Sequence, residues 1–150
     1  MSVGFEGCEA RGLTALELVV VLTIVSIVVG IAIPAFQGIR LGSALSAAER
    51  DVVAAMQNAR WRAINSGAVH TIDLTTSSNI AIVKGGTTVA SLPLGQYSVT
   101  QTHTGGNTFD FDPRGLIPAG TTTPITITLT NPRGATRRVT IDRLGRITTS

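Results

Sequence analysis

Two sets of residues have types and spacings that could do chemistry. Glu17 is the only ionisable side chain between Leu13 and Ile33, a run otherwise almost wholly apolar. A carboxylate at the centre of a membrane-spanning helix costs about 2.5–3.5 kcal/mol on insertion scales, less near an end where it can snorkel. Glu17 lies near an end, so its position fits both an incidental terminal charge and a group kept for a partner. The second set is six arginines in the C-terminal third, Arg114, Arg133, Arg137, Arg138, Arg143 and Arg146, set against Asp110, Asp112 and Asp142. Gathered into one patch they would bind phosphates, with affinity that falls steeply with salt and ignores base sequence. Dispersed, they are solvated surface charge that favours solubility. Arg137 and Arg138 are neighbours, so in a strand at least one points away from the core.

Other constellations fail on spacing. His70 and Asp73 are three apart in a strand-like segment and therefore face opposite sides, which excludes a local Ser-His-Asp type pairing. His103 with Asp110 and Asp112 matches no metal-ligand spacing, and the three read as surface loop residues. Gly85-Gly86 and Gly105-Gly106 precede no helix, so they cradle no phosphate. Trp61 reads as a packing residue or an interface anchor. The single cysteine, Cys8, stands near the N-terminus, leaving the rest of the chain without disulfides or thiolate metal sites. The expectation is no catalytic residue, no metal, no cofactor and no enzymatic activity.

The elements that must hold these residues begin with residues 13–33. As a helix this run spans about 30 Å, the thickness of a bilayer's hydrocarbon core. It is too long for a strand and too long, with Glu17 inside it, for the apolar part of an ordinary secretory signal. Pro34 ends the uniformly apolar pattern and should bend or locally melt the helix. Beyond it the pattern is amphipathic. Leu41, Ala44, Leu45, Ala48, Val52, Ala55, Met56, Ala59, Ala63 and Ile64 recur at steps of three and four, and Gly67 is the expected stop. From residue 69 onward strand character takes over, as in Ile72 and Leu74, Ile80 and Ile82, Phe109 and Phe111, residues 125–130, and Val139 and Ile141. The reading is an α+β chain, with a sheet over 69–149 packed by one face on the helix over 41–66 and partly wet on the other. Asp112-Pro113-Arg114-Gly115 and Asn131-Pro132-Arg133-Gly134 both fit type I turns, and Asp142-Arg143-Leu144-Gly145 keeps the ends of that pattern.

Gly12-Leu13-Thr14-Ala15-Leu16-Glu17 resembles the processing site of class III, type IV pilin-like signal peptides. The resemblance implies a leader of residues 1–12 in the cytoplasm, removed by a prepilin peptidase that cuts after Gly12 and methylates Leu13. It implies a membrane and assembly helix over 13–40, with Glu17 as the assembly carboxylate and Pro34 as the kink. Residues 41–150 would then form an exported domain. Leu13 stands where the family usually has Phe, and Ala15-Leu16 where it commonly has Leu-Ile. Ala59-Arg60, the stretch from Phe109 to Gly115, and Leu144-Gly145-Arg146 are similar to the H-type pseudopilin domain (GspH/FimT). That family includes minor pseudopilins of type II secretion and minor pilins of type IV pili, some of which bind DNA in natural transformation.

About 150 residues suit one domain and one membrane helix. With Arg11, Glu6 and Glu9 gone from 12 basic and 9 acidic residues, 11 and 7 remain, a mildly basic balance unlike that of a dedicated nucleic-acid-binding domain. The expected role is a minor pilin or pseudopilin subunit, with other pilin-like subunits, the peptidase and the inner membrane as partners and a filament as its destination. The alternatives are a pilus-associated DNA receptor using the six arginines, and a membrane-anchored periplasmic protein that never assembles. Gly12→Val should leave an uncut precursor, because a side chain at 12 obstructs the peptidase's approach to the backbone. Intact-mass measurement of the membrane-associated protein checks this, wild type losing residues 1–12 and the variant keeping them.

Overall fold

The computed structural model describes residues 14–150, with the side chains of 33–35 outside the description. Gly12, Leu13 and Cys8 therefore lie outside the described residues. One α-helix, α1 (Ala15–Ser66), is followed by eight strands: β1 (His70–Asp73), β2 (Asn79–Lys84), β3 (Thr87–Pro93), β4 (Thr100–His103), β5 (Thr108–Phe111), β6 (Ile125–Thr130), β7 (Thr136–Ile141) and β8 (Ile147–Thr149). A short 3-10 helix at Leu94–Tyr97 joins β3 to β4. The helix is continuous through position 34, so the expected local melting does not occur there. Pro34 still lacks the N–H that would bond to the Gly30 carbonyl. Gly67 takes the left-handed conformation (φ 58°) just past the last helical residue, as the sequence predicts.

Contacts divide the chain into two compact units, Met1–Gln37 and Gly38–Ser150. Within the second, α1 buries a narrow stripe of Leu45, Ala48, Val52, Met56, Ala59 and Ala63. These residues recur at steps of three and four and mark one helix face. Ile64, expected on that face, is 47% exposed, and Trp61 is 70% exposed. Trp61 therefore stands outside the core.

The strands form two antiparallel sheets, in the orders β3-β2-β1-β5 and β4-β6-β7-β8, where the sequence reading has one. The chain leaves the first sheet after β3, returns to it at β5, and leaves again for β6. Both sheets present alternate residues to one core: Ile72, Ile80, Ile82, Phe109 and Phe111 from the first, Ile125, Ile127, Leu129, Val139 and Ile141 from the second. Phe109 and Phe111 meet edge to face with ring centroids 5.6 Å apart. The β2–β3 hairpin closes through Gly85 and Gly86, both at positive φ, as a two-residue turn of the primed type requires.

A buried glutamine staples the sheets. Gln101, on β4 of the second sheet, donates its side-chain amide to the carbonyls of Leu74 (2.8 Å) and Thr76 (3.1 Å), and its backbone N–H to Ser77 (2.8 Å). All three acceptors lie in the loop that follows β1 of the first sheet. Gln101→Leu leaves the Leu74 and Thr76 carbonyls short of a donor, so it should cost about 1–3 kcal/mol. Urea unfolding of Gly38–Ser150 should show a lowered midpoint with an unchanged slope.

Candidate functional site

The N-terminal half of α1 is an apolar cylinder. Every large apolar side chain from Leu16 to Ile31 is at least 48% exposed, and the span's mean hydropathy is 2.8. By length and composition it can cross a membrane. Its polar residues are satisfied locally, since Thr23 and Ser26 donate their hydroxyls to the carbonyls four residues back. At the start, the Glu17 N–H donates to Thr14 Oγ1 at 3.2 Å and the Leu18 N–H to the Thr14 carbonyl at 3.1 Å. Thr14 is therefore the N-cap, and Thr14-x-x-Glu17 has the spacing of a capping box. The sequence reading passes over Thr14, although the box is visible there. This gives Glu17 a local stabilising role beside any intermolecular one, because a carboxylate in the first turn favours the helix dipole.

The six arginines do not form one patch. Arg133 sits on the turn between β6 and β7, whereas Arg143 and Arg146 flank the turn between β7 and β8. The six residues of β7 hold these two ends about 20 Å apart. The Arg137 guanidinium lies 3.9 Å from Glu49 on α1, and Arg138 exchanges both backbone hydrogen bonds with Ser150. Arg114 grips Asp112 through two nitrogens at 2.9 and 3.0 Å, and Arg146 reaches Asp142 at 3.1 Å. Only Arg114, Arg143 and Arg146 share an end of the molecule.

Two of three copies of a repeated turn build that end. In each of the three turns the first residue's side-chain oxygen accepts N–H bonds from residues two and four further on, at 2.9–3.0 Å: Asp112 from Arg114 and Leu116, Asn131 from Arg133 and Ala135, Asp142 from Leu144 and Arg146. Each closes on a glycine at positive φ, Gly115 (76°), Gly134 (80°) and Gly145 (69°). The turns differ in their surroundings. Gly134 has open space beside it, whereas a Cβ on Gly145 would fall 2.4 Å from the Gly115 carbonyl oxygen and 3.0 Å from Arg60 Nε. A Cβ on Gly115 would meet Arg60 Nε at 2.9 Å and Ile64 at 2.8 Å. Arg60 of α1 thus lies along both glycines and donates Nη1 to the Gly145 carbonyl at 2.9 Å. Its Nε is buried without a hydrogen-bond partner among the described residues. The two turns are also tied directly, Ile117 N–H to the Arg143 carbonyl at 3.1 Å.

Of the other candidates, His70 is buried, with Nδ1 near the Ala68 carbonyl, and Asp73 caps its own loop through Thr75. His103 bonds with Gln101 and Asn107, and Asp110 accepts the Thr71 hydroxyl. Among the described residues no group of three His, Cys, Asp or Glu side chains could hold a metal. Tyr97 donates to Asp51 of α1, and that bond, chiefly, raises its pKa.

A helix whose first half is an exposed apolar cylinder and whose second half packs on antiparallel sheets defines a pilin-like protein. Residues 48–145 match the family model described as Type II transport protein GspH, and the chain belongs to that family. In structure it is similar to the type IV minor pilin FimU of Pseudomonas aeruginosa in two crystal forms. The TM-scores are 0.60 and 0.58, at 18% identity over 71% of this chain and 87% and 92% of the FimU chains. The minor pseudopilin EpsH from the Type 2 Secretion System of Vibrio cholerae matches with a TM-score of 0.49, at 15% identity over 72% of this chain and 93% of EpsH. No curated protein matches the chain in sequence.

Two predictions come from the turns. Gly145→Ala combines left-handed strain with a backbone clash and should cost about 2–5 kcal/mol, whereas Gly134→Ala meets only the strain, about 1–2 kcal/mol. Chemical denaturation of the two variants side by side checks the order. The second concerns acid. Backbone N–H donors, first from Leu116 and from Arg146 respectively, hold the Asp112 and Asp142 carboxyls below the ordinary aspartate range, with Arg114 and Arg146 adding their charge. Depressed folded-state values mean that this stabilisation is present above about pH 4 and is lost as pH falls through them. Asn131 shows that a neutral amide oxygen can hold the same turn. Asp112→Asn with Asp142→Asn should therefore keep the fold and flatten the acid side of the stability–pH curve.

Proposed function

We propose that this chain is a minor subunit of a type II secretion pseudopilus or a type IV pilus. The apolar half of α1 would first anchor it in the inner membrane and then pack against other pilin-like subunits in the filament. The observation that carries this reading is the exposed cylinder from Leu16 to Ile31 on a chain of the GspH family. So much apolar surface has no partner within its own chain and calls for lipid or neighbouring helices. The role is structural, and no catalytic step is assigned. Removal of residues 1–12 by a prepilin peptidase would free an α-amine at Leu13, positively charged below a pKa of about 8. Glu17 would pair with such an amine on a neighbouring subunit, in surroundings of low dielectric that strengthen the attraction. Pro34, midway along α1, is the position for the helix to bend.

The DNA-receptor alternative has less support. The arginines it needs are divided between two ends of β7, and Arg114, Arg137 and Arg146 already face carboxylates. The non-assembling alternative leaves Glu17 only its place in the capping box. Glu17→Ala separates these readings. In a subunit that assembles, the variant should insert into the membrane as well as wild type yet be depleted from sheared filaments by tenfold or more, about the effect of losing 1.4 kcal/mol per contact. Wild-type incorporation of Glu17→Ala would reduce the carboxylate to a favourable charge in the first turn of α1.

A further inference from the structure

Arg133 reaches from its turn to the helix, its Nη1 only 2.6 Å from where a Cβ on Gly38 would stand. Gly38 lies five residues past Ile33, the last residue of the apolar run. Arg40 is exposed two residues further on, and at 100° per residue it projects about 200° around the helix from Gly38. Two guanidinium groups therefore flank α1 at one level on different sides, with Ile39, 67% exposed, between them. No carboxylate interrupts this level in sequence, since none occurs between Glu17 and Glu49 or between Asp112 and Asp142. Glu49 stands about three turns further along and faces Arg137.

Two forks on different sides of a helix do not converge, so they grip a single small anion poorly. They suit a plane of anions that the helix passes through. We infer that Arg40 and Arg133, with Ile39, form a collar that docks on the headgroup phosphates of an anionic phospholipid surface where α1 leaves the bilayer. The inference rests on the membrane-anchor reading above. Each guanidinium carries five N–H donors, so contacts kept with the protein leave others for phosphate. Gly38 is what admits Arg133 to this level, because any side chain there would displace the guanidinium. The collar sets the height of the Gly38–Ser150 unit over the membrane, and its lipid contacts must break when a subunit leaves the bilayer. A cation near such a surface contributes about fivefold to association, and salt screens it.

The test places the full chain in vesicles of phosphatidylcholine and of phosphatidylcholine mixed with phosphatidylglycerol. Hydrogen exchange is then followed in peptides covering residues 36–44 and 131–136. Exchange should slow about fivefold per arginine in the anionic vesicles and revert at high salt. Arg40→Gln, at an exposed helical position, should lose part of that slowing, and Arg40→Gln with Arg133→Gln nearly all. Arg114→Gln with Arg146→Gln, at the far end of β7, should keep it. Equal exchange in the two vesicle types, or a difference that the Arg40/Arg133 variant retains, overturns the collar while flotation with the vesicles upholds the anchor. A chain that floats with neither vesicle type overturns the anchor and the collar together.

Discussion

The constraint on which the Gly38–Ser150 unit depends is that one helix face must be kept dry by two separate sheets. That face is mixed in size. Ala48, Ala59 and Ala63 share it with Leu45, Val52 and Met56, and all six are buried. The stripe and the two sheets share a single apolar cluster in which every member is fully or nearly fully buried. Helix and sheets are held by that shared core, and Gln101 adds a polar tie between the sheets.

Toward the end of α1 the apolar stripe gives way to a different junction. Arg60 lies along two glycine turns that touch each other, so helix, β5–β6 connection and β7–β8 connection meet on one side chain. The guanidinium supplies both apolar stem and hydrogen-bond donor, a combination a shorter side chain lacks. In the same turn between β6 and β7 the glycine meets nothing, so Gly134 is exposed where Gly115 and Gly145 are buried, and it is Arg133 that reaches the helix, beside Gly38. One local sequence pattern thus meets the helix twice through its glycine and once through its arginine.

Much of this was legible in the residues, and the limits were physical. Gly67 as helix stop, the alternation of Ile125, Ile127 and Leu129, and the three Asx-started turns depend on local backbone preferences, which sequence reports directly. Strand partners do not: alternation states which side chains face in and says nothing of which strand lies alongside, so two sheets were read as one. Ile64 fits the apolar repeat yet stays 47% exposed, although its neighbour Ala63 is fully buried. The arginines could be counted but not located, since the length of β7 between them is a fact of topology. Thr14 was legible and overlooked, its box with Glu17 being masked by the apolar run that follows.

The family and the fold mark a minor subunit of a pseudopilus or pilus, and the proposal gives it two settings, first a bilayer and then a filament. The exposed apolar half of α1 is uniform enough to suit both. Mass analysis of N-terminal peptides from sheared, purified filaments tests that claim most directly. The account predicts a peptide of this chain beginning at methylated Leu13 in the filament fraction. Finding the chain only in the membrane fraction, or finding it in filaments with residues 1–12 still attached, would contradict it.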